Sequence, residues 1–345
     1  MVPQNAVRCG EIINSLERKN GTIESPNYPR SYPAELTCRF TFQGVGRERI
    51  QLRFVHMDLH FPSGDPADPM ECTGSDSVTV YITVNGQPET LDTYCGEKLP
   101  PMLMSNSHTM TVEFRSYRSS NTVTGFRANF EFVTNFGIKT GKQDSRGTCI
   151  FNYMSHKEPD GHIMSPNYPG LYPRNTECHY LFYGRGKERV HITFLYFEVD
   201  GIPPRCEENT NSDYVSFSNF AETEDRKLYR MCGQSPLTKQ KIESDGAFFR
   251  VTFKSNHIYD AHGFQAFYQF FGGPDPTEKP GAGQMSNPNW NNGNGGVAST
   301  NTGHSMTSAT SLFLLLLCLL TTSLPLPLPQ PFSSQVHPHS VTFAS

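Results

Sequence analysis

A chain of 345 residues is long enough for two domains and something more. Its 29 basic and 33 acidic residues leave a net charge of -4, which excludes the strongly basic footprint of a nucleic-acid binder. Its 9 cysteines, with no Cys-x-x-Cys pair and no histidine at zinc spacing, point to a disulfide framework made in an oxidising compartment.

In chain order, Met1-Val2-Pro3-Gln4-Asn5 lacks the apolar core of a secretory leader. Patterned cysteines do not suit a reducing cytosol, so a truncated start is expected rather than a cytosolic chain. Asn20-Gly21-Thr22 is the single N-glycosylation sequon and matters only if the chain is exported. Ser25-Pro26-Asn27-Tyr28-Pro29 then runs on through Tyr32-Pro33 to Cys38. It recurs as Ser165-Pro166-Asn167-Tyr168-Pro169, with Tyr172-Pro173 and Cys178 at the same offsets. Prolines at this density fix φ and remove backbone donors, which suits an extended loop whose tyrosines lie against a sheet.

After each copy comes strand, turn, strand. The first is Cys38-Arg39-Phe40-Thr41-Phe42, a glycine turn ending in Arg47-Glu48-Arg49, then Ile50-Gln51-Leu52-Arg53-Phe54. The second is Tyr180-Leu181-Phe182, a turn ending in Lys187-Glu188-Arg189, then Val190-His191-Ile192-Thr193-Phe194. The charged turn residues are expected in solvent. Val78, Val80, Ile82 and Val84 share one face of a later strand, as do Met110, Val112 and Phe114, matched by Phe249, Val251 and Phe253. Each repeat closes on a Gly-Phe strand, starting at Gly125-Phe126 and Gly263-Phe264. No window sustains a 3.6-residue period. The expected fold is all-β, two tandem antiparallel β-sandwiches at residues 9–132 and 149–271 joined by a linker at 133–148.

Residues 272–310 are rich in Gly, Asn, Ser and Thr and read as a flexible stalk. Residues 311–345 hold a short hydrophobic run containing Cys318, followed by a proline-rich end. A lipid-anchor signal is the first expectation for this tail, a short membrane span the second and a disordered secreted tail the third.

The repeats resemble CUB domains. The resemblance rests on the leading Cys9 and Cys149, on Gly21-Thr22-Ile23-Glu24 leading into the first proline loop, on Tyr94-Cys95-Gly96 and Met231-Cys232-Gly233, and on the closing Gly-Phe strands. It implies compact, jelly-roll-like sandwiches with Cys9 joined to Cys38, Cys72 to Cys95, Cys149 to Cys178 and Cys206 to Cys232. Spacing by itself leaves three pairings open for each set of four cysteines.

Many CUB domains bind Ca²⁺ through acidic side chains from separate loops, hard oxygen ligands that suit this ion. In the first repeat the matching positions are His60, Asp76 and Tyr117, so no site of this type is expected there. Asp58, Asp65, Asp68 and Glu71 lie nearby and read as a solvated acidic loop. In the second repeat the positions are Asp200, Asp213 and Asn256, with Tyr172 beside them, and this is the candidate Ca²⁺ site. A strand-end acid and a turn acid with no ion remains the other reading.

His-Glu-x-x-His, Gly-x-Ser-x-Gly, P-loop and dinucleotide motifs are absent from the sequence, and an enzyme is not expected. The expected function is protein binding at the extracellular face of the plasma membrane, with tandem modules raising avidity. Paired CUB modules with a stalk and membrane-seeking tail resemble the invertebrate suppressor-of-lurcher and neuropilin-and-tolloid-like proteins, which implies an ionotropic glutamate receptor as partner. A secreted regulator of a growth factor, matrix component or protease is the alternative.

Overall fold

The computed structural model describes residues 9–84, 86–118, 122–221, 229–234 and 242–273. The expectations for the start of the chain, for nearly all of the stalk, and for the hydrophobic tail with Cys318 lie outside these residues.

Among the described residues the first domain has nine strands: β1 (Gly10–Asn14), β2 (Asn20–Glu24), β3 (Leu36–Gln43), β4 (Arg49–Asp58), β5 (Ser77–Val84), β6 (Gln87–Tyr94), β7 (Leu103–Met104), β8 (Thr109–Ser116) and β9 (Gly125–Val133). They form one sheet in the order β1-β3-β8-β5-β6 and another in the order β2-β9-β4-β7. Period-two burial sets which face meets which. Val78, Val80, Ile82 and Val84 are buried while their neighbours in β5 are half-exposed. Phe40 and Phe42 of one sheet meet Phe126 and Phe130 of the other edge to face, at 6.2 and 5.1 Å between ring centroids.

The second domain repeats the plan with β10 (Lys142–Gln143), β11 (Ile150–Met154), β12 (Asp160–Met164), β13 (Glu177–Tyr183), β14 (Arg189–Val199), β15 (Tyr214–Ser218), β16 (Arg230–Met231), β17 (Gly233–Gln234), β18 (Ile242–Glu243), β19 (Phe248–Lys254) and β20 (Gly263–Phe271). Its sheets run β10-β11-β13-β19-β15-β16 and β12-β20-β14-β17, with β18 also on β14. No α-helix occurs among the described residues; a single 3₁₀ turn spans Glu208–Thr210.

Among the described residues the pairing is antiparallel except for one parallel pair per domain, β1 with β3 and β11 with β13. Between these partners the chain crosses to the other sheet and back through the proline loop, and that crossover is what a parallel pair requires. Disulfides join Cys9 to Cys38, Cys72 to Cys95, Cys149 to Cys178 and Cys206 to Cys232. Closing loops of 23 to 29 residues stabilises each domain by about 3.5 kcal/mol per bridge in the chain-entropy account.

Several local expectations change in the folded chain. A bulge after Phe54 and another after Phe194 break the alternation, and the ejected Val55 and Leu195 are exposed. Glu48 is buried rather than solvated, because its Oε2 accepts the Val45 N–H at 3.0 Å and caps its own turn. Arg49 donates to the carbonyls of Ser105 and Asn106 and lies 4.7 Å over the Phe136 ring. Burial pushes its guanidinium down to about 10. Residues 133–148 do more than link: Phe136 and Ile138 join the second core, and β10 pairs with β11.

Candidate functional site

Each proline loop is pinned to the closing strand of its own domain. Ser25 Oγ accepts the Phe126 N–H at 3.1 Å, and Ser165 Oγ accepts the Phe264 N–H at 2.9 Å. Gly125 and Gly263 stand at φ +93° and +77°, and a Cβ there would fall 1.8 and 1.9 Å from the serine oxygens. Only glycine permits both the conformation and the approach. The loops therefore deliver Tyr32 and Tyr172, each 1% exposed, to one end of each sandwich.

In the first domain Tyr32 Oη donates to Asp76 Oδ2 at 2.8 Å and accepts the His60 N–H at 2.8 Å. Asp76 Oδ1 accepts the backbone N–H groups of Tyr117 and Arg118 at 2.7 and 3.2 Å. Tyr117 itself is exposed. The nearby acids are engaged separately: Asp58 by Thr124, Asp65 by the Ala67 N–H and Asp68 by Lys98.

The second domain builds the same corner with different charges. Tyr172 Oη donates to Asp213 Oδ2 at 2.6 Å and accepts the Asp200 N–H at 3.0 Å. Asp213 Oδ1 accepts the Asn256 N–H at 2.6 Å, and the Asp213 N–H donates to the Asp200 carbonyl at 2.9 Å. Desolvation pushes the Asp213 carboxyl up to about 7, with the charges of Asp200 and Asp260 adding to the rise. Burial also raises Asp200. The fold thus gathers Asp200, Asp213 and Asn256, but Asn256 meets Asp213 through its backbone. Its Oδ1 accepts the Ile258 N–H at 2.6 Å and its Nδ2 donates to the Asn211 carbonyl at 2.6 Å. Among the described residues no group of three or more His, Cys, Asp or Glu is placed to hold a metal.

A second constellation lies where the two sandwiches meet, within one compact unit. The second proline loop sits on β4 and β7 of the first domain. Asn167 is fully buried, donating Nδ2 to the Met102 carbonyl at 2.9 Å and accepting at Oδ1 from Gln51 at 2.8 Å. The Leu171 N–H shares that carbonyl at 2.9 Å, and the Leu171 side chain packs on the first core. A Cβ on Gly170 would meet the Met102 carbonyl oxygen at 2.2 Å. Arg174 donates its N–H to Asn106 Oδ1 at 3.2 Å and pairs with Asp260 at 3.3 Å, both side chains largely buried. Sequence reading passed over Asp260, Gly170 and Met102. The one signal for the seam was that Gly170-Leu171 departs from Arg30-Ser31 in an otherwise matched loop.

Comparison with known proteins agrees with this architecture. The CUB domain model matches residues 9–130 and 150–268. Tolloid-like protein 2 of Mus musculus is 26% identical over 292 residues, covering 76% of this chain and 26% of the relative. Neuropilin-2 of Rattus norvegicus is 25% identical over 263 residues, covering 75% of this chain and 26% of the relative. The chain therefore spans about a quarter of the length of these curated relatives. Among solved structures, the MASP-1 CUB2 domain bound to Ca²⁺ aligns at 25% identity with a TM-score of 0.28, over 36% of this chain and 99% of that one. With both repeats matched, the chain belongs to the CUB domain family.

Proposed function

We propose that the protein works outside the cell as a binding module in which two CUB sandwiches, held in one orientation, present their loop ends to a partner protein. The observation that carries this reading is the combination of paired disulfides with the seam around Asn167. Disulfides belong to oxidising compartments. A fixed seam keeps two weak contact surfaces at one spacing, which raises affinity when both engage. Catalysis forms no part of the proposal. Membrane tethering through the tail belongs to it only as an expectation, since those residues lie outside the described ones; among the described residues no helix is long and apolar enough to cross a membrane. The matched relatives lend no support to a glutamate receptor as the partner, and that choice is set aside for a partner of open identity.

The test is direct. The full chain, given a secretory leader and expressed in animal cells, should reach the medium or cell surface with no free thiol among its eight paired cysteines. Free thiols in exported material would overturn the reading.

A Ca²⁺ ion in the second domain is part of the proposal, because Asp200 and Asp213 supply hard oxygen donors at one loop end. Asn256 Oδ1 has a second lone pair to offer. The bound ion would hold Asp213 ionised, and since that group is pushed up to about 7 without the ion, uptake of Ca²⁺ below this pH should release close to one proton. Calorimetric titration of the full chain in buffers of different ionisation heat measures this, with Asp213→Ala as control. No heat in the native chain removes the ion.

A further inference from the structure

Among the described residues β2 is the outer strand of its sheet, paired only with β9. Along it Gly21 and Ile23 face inward: Ile23 is 2% exposed, and a Cβ on Gly21 would meet the Phe130 ring at 2.9 Å. Period two then turns Asn20 and Thr22 to the outer face. Asn20 is exposed, and Thr22 Oγ1 donates to Asn129 Oδ1 at 3.2 Å. Strand register sets Asn20 level with Glu131 and Gln51, and Thr22 level with Asn129 and Arg53. On the far side Lys139 and the Tyr168-Pro169 turn close a cleft of about 680 Å³, a volume ordinary for small-molecule sites.

The walls suit a carbohydrate. Amide, carboxylate and guanidinium groups offer both donors and acceptors to sugar hydroxyls. The Tyr168 ring can lie against the apolar face of a pyranose. The second repeat makes the contrast. Its edge strand β12 carries Asp160-Gly161-His162, with Gly161 against Tyr268 as Gly21 is against Phe130, but without a sequon. A charged side chain blunts that edge against pairing with other strands, whereas β2 opens on neutral Asn20.

We propose that Asn20 carries an N-linked glycan whose first sugars lie on this outer face and seat in the cleft against the Tyr168 turn. The proposal rests on the export reading above. In the transfer, Asn20 Nδ2 forms a bond to the anomeric carbon of a lipid-pyrophosphate-linked oligosaccharide. The carbon–oxygen bond to pyrophosphate breaks, the lipid pyrophosphate leaves and the amide loses one proton.

Intact-mass measurement of the exported full chain, before and after amidase removal of N-glycans, is the test. One glycan is expected, and Thr22→Ala should abolish it. Release from the native chain should be slower than from the denatured chain by about tenfold or more, the factor that modest seating contacts give. Tyr168→Ala should erase most of that difference. An exported, fully oxidised chain with bare Asn20 overturns the proposal alone. Equal release rates from native and denatured chain overturn the seat. A chain retained in cells with free thiols removes the export reading, and the proposal with it.

Discussion

The two proline loops have nearly the same sequence and the same backbone, yet one is a surface and the other an interface. Asn27 and Asn167 both take left-handed conformations, at φ 68° and 61°, and Tyr28-Pro29 and Tyr168-Pro169 are both cis. Both serines grip their Gly-Phe strands. Asn27 and Arg30 are nonetheless exposed, while Asn167 and Gly170 are buried. Local sequence sets the shape of the loop. Residue 170 is one determinant of its use, because the Met102 carbonyl leaves no room for a Cβ there.

The largest expected effect lies in what the loops share. Gly263→Ala puts a methyl into Ser165 Oγ at a positive φ, and should cost the second domain roughly 3 kcal/mol or more. Gly125→Ala should do the same to the first. Calorimetry on both variants sharpens the comparison: if the seam couples the domains, each substitution lowers one common transition.

Breaking the difference is the next test. Gly170→Arg, which copies the first loop into the second, should cost about 2–3 kcal/mol and split the melt in two, with residues 133–148 opened to protease. The reciprocal Arg30→Gly, at an exposed position, should change stability by less than about 0.5 kcal/mol. A single unsplit melt in Gly170→Arg would mean that the seam does not hold the domains together.

Smaller effects separate the two tyrosine corners. Tyr172→Phe removes the donor to buried Asp213 and the acceptor for the Asp200 N–H, at about 1–3 kcal/mol. Tyr32→Phe should cost about the lower end of that range, since Asp76 keeps two backbone donors. The pH dependence should differ as well. Asp213 has a folded value of about 7 against an ordinary 3.8, so the ion-free second domain holds more protons folded than unfolded. That contribution is full below about pH 4 and is lost as pH rises through about 7, on the order of 4 kcal/mol. Asp213→Asn should flatten the slope, as read by urea melts across pH 4–8.

The strands were legible because alternation survives wherever a sheet has one wet face, as in Val78 to Val84. The bulges were not, since Val55 and Leu195 are apolar residues placed in solvent by a register shift that leaves no mark in the sequence. The tyrosine–aspartate corners were partly legible: Asp200, Asp213 and Tyr172 were named from the family resemblance. The engagement of Asn256 Oδ1 by its own loop was not, because it depends on where the Ile258 N–H falls. Gly170 stood in plain view beside Arg30, but its meaning required Met102, far away in the chain and on another domain. Residues 133–148 looked like a polar spacer, and only the fold shows Phe136 and Ile138 drawn into a core.

The contact at Met102 is heterologous: it joins a loop on one module to a strand edge on the next, so it has a head and a tail. Contacts of this kind build rings when the rotation closes and open filaments when it does not. Arg30 projects a long cationic side chain from the very position where the seated loop has none. A loop carrying that side chain does not fit the seat that Gly170 occupies, so the contact runs one way, from the second proline loop to the first module.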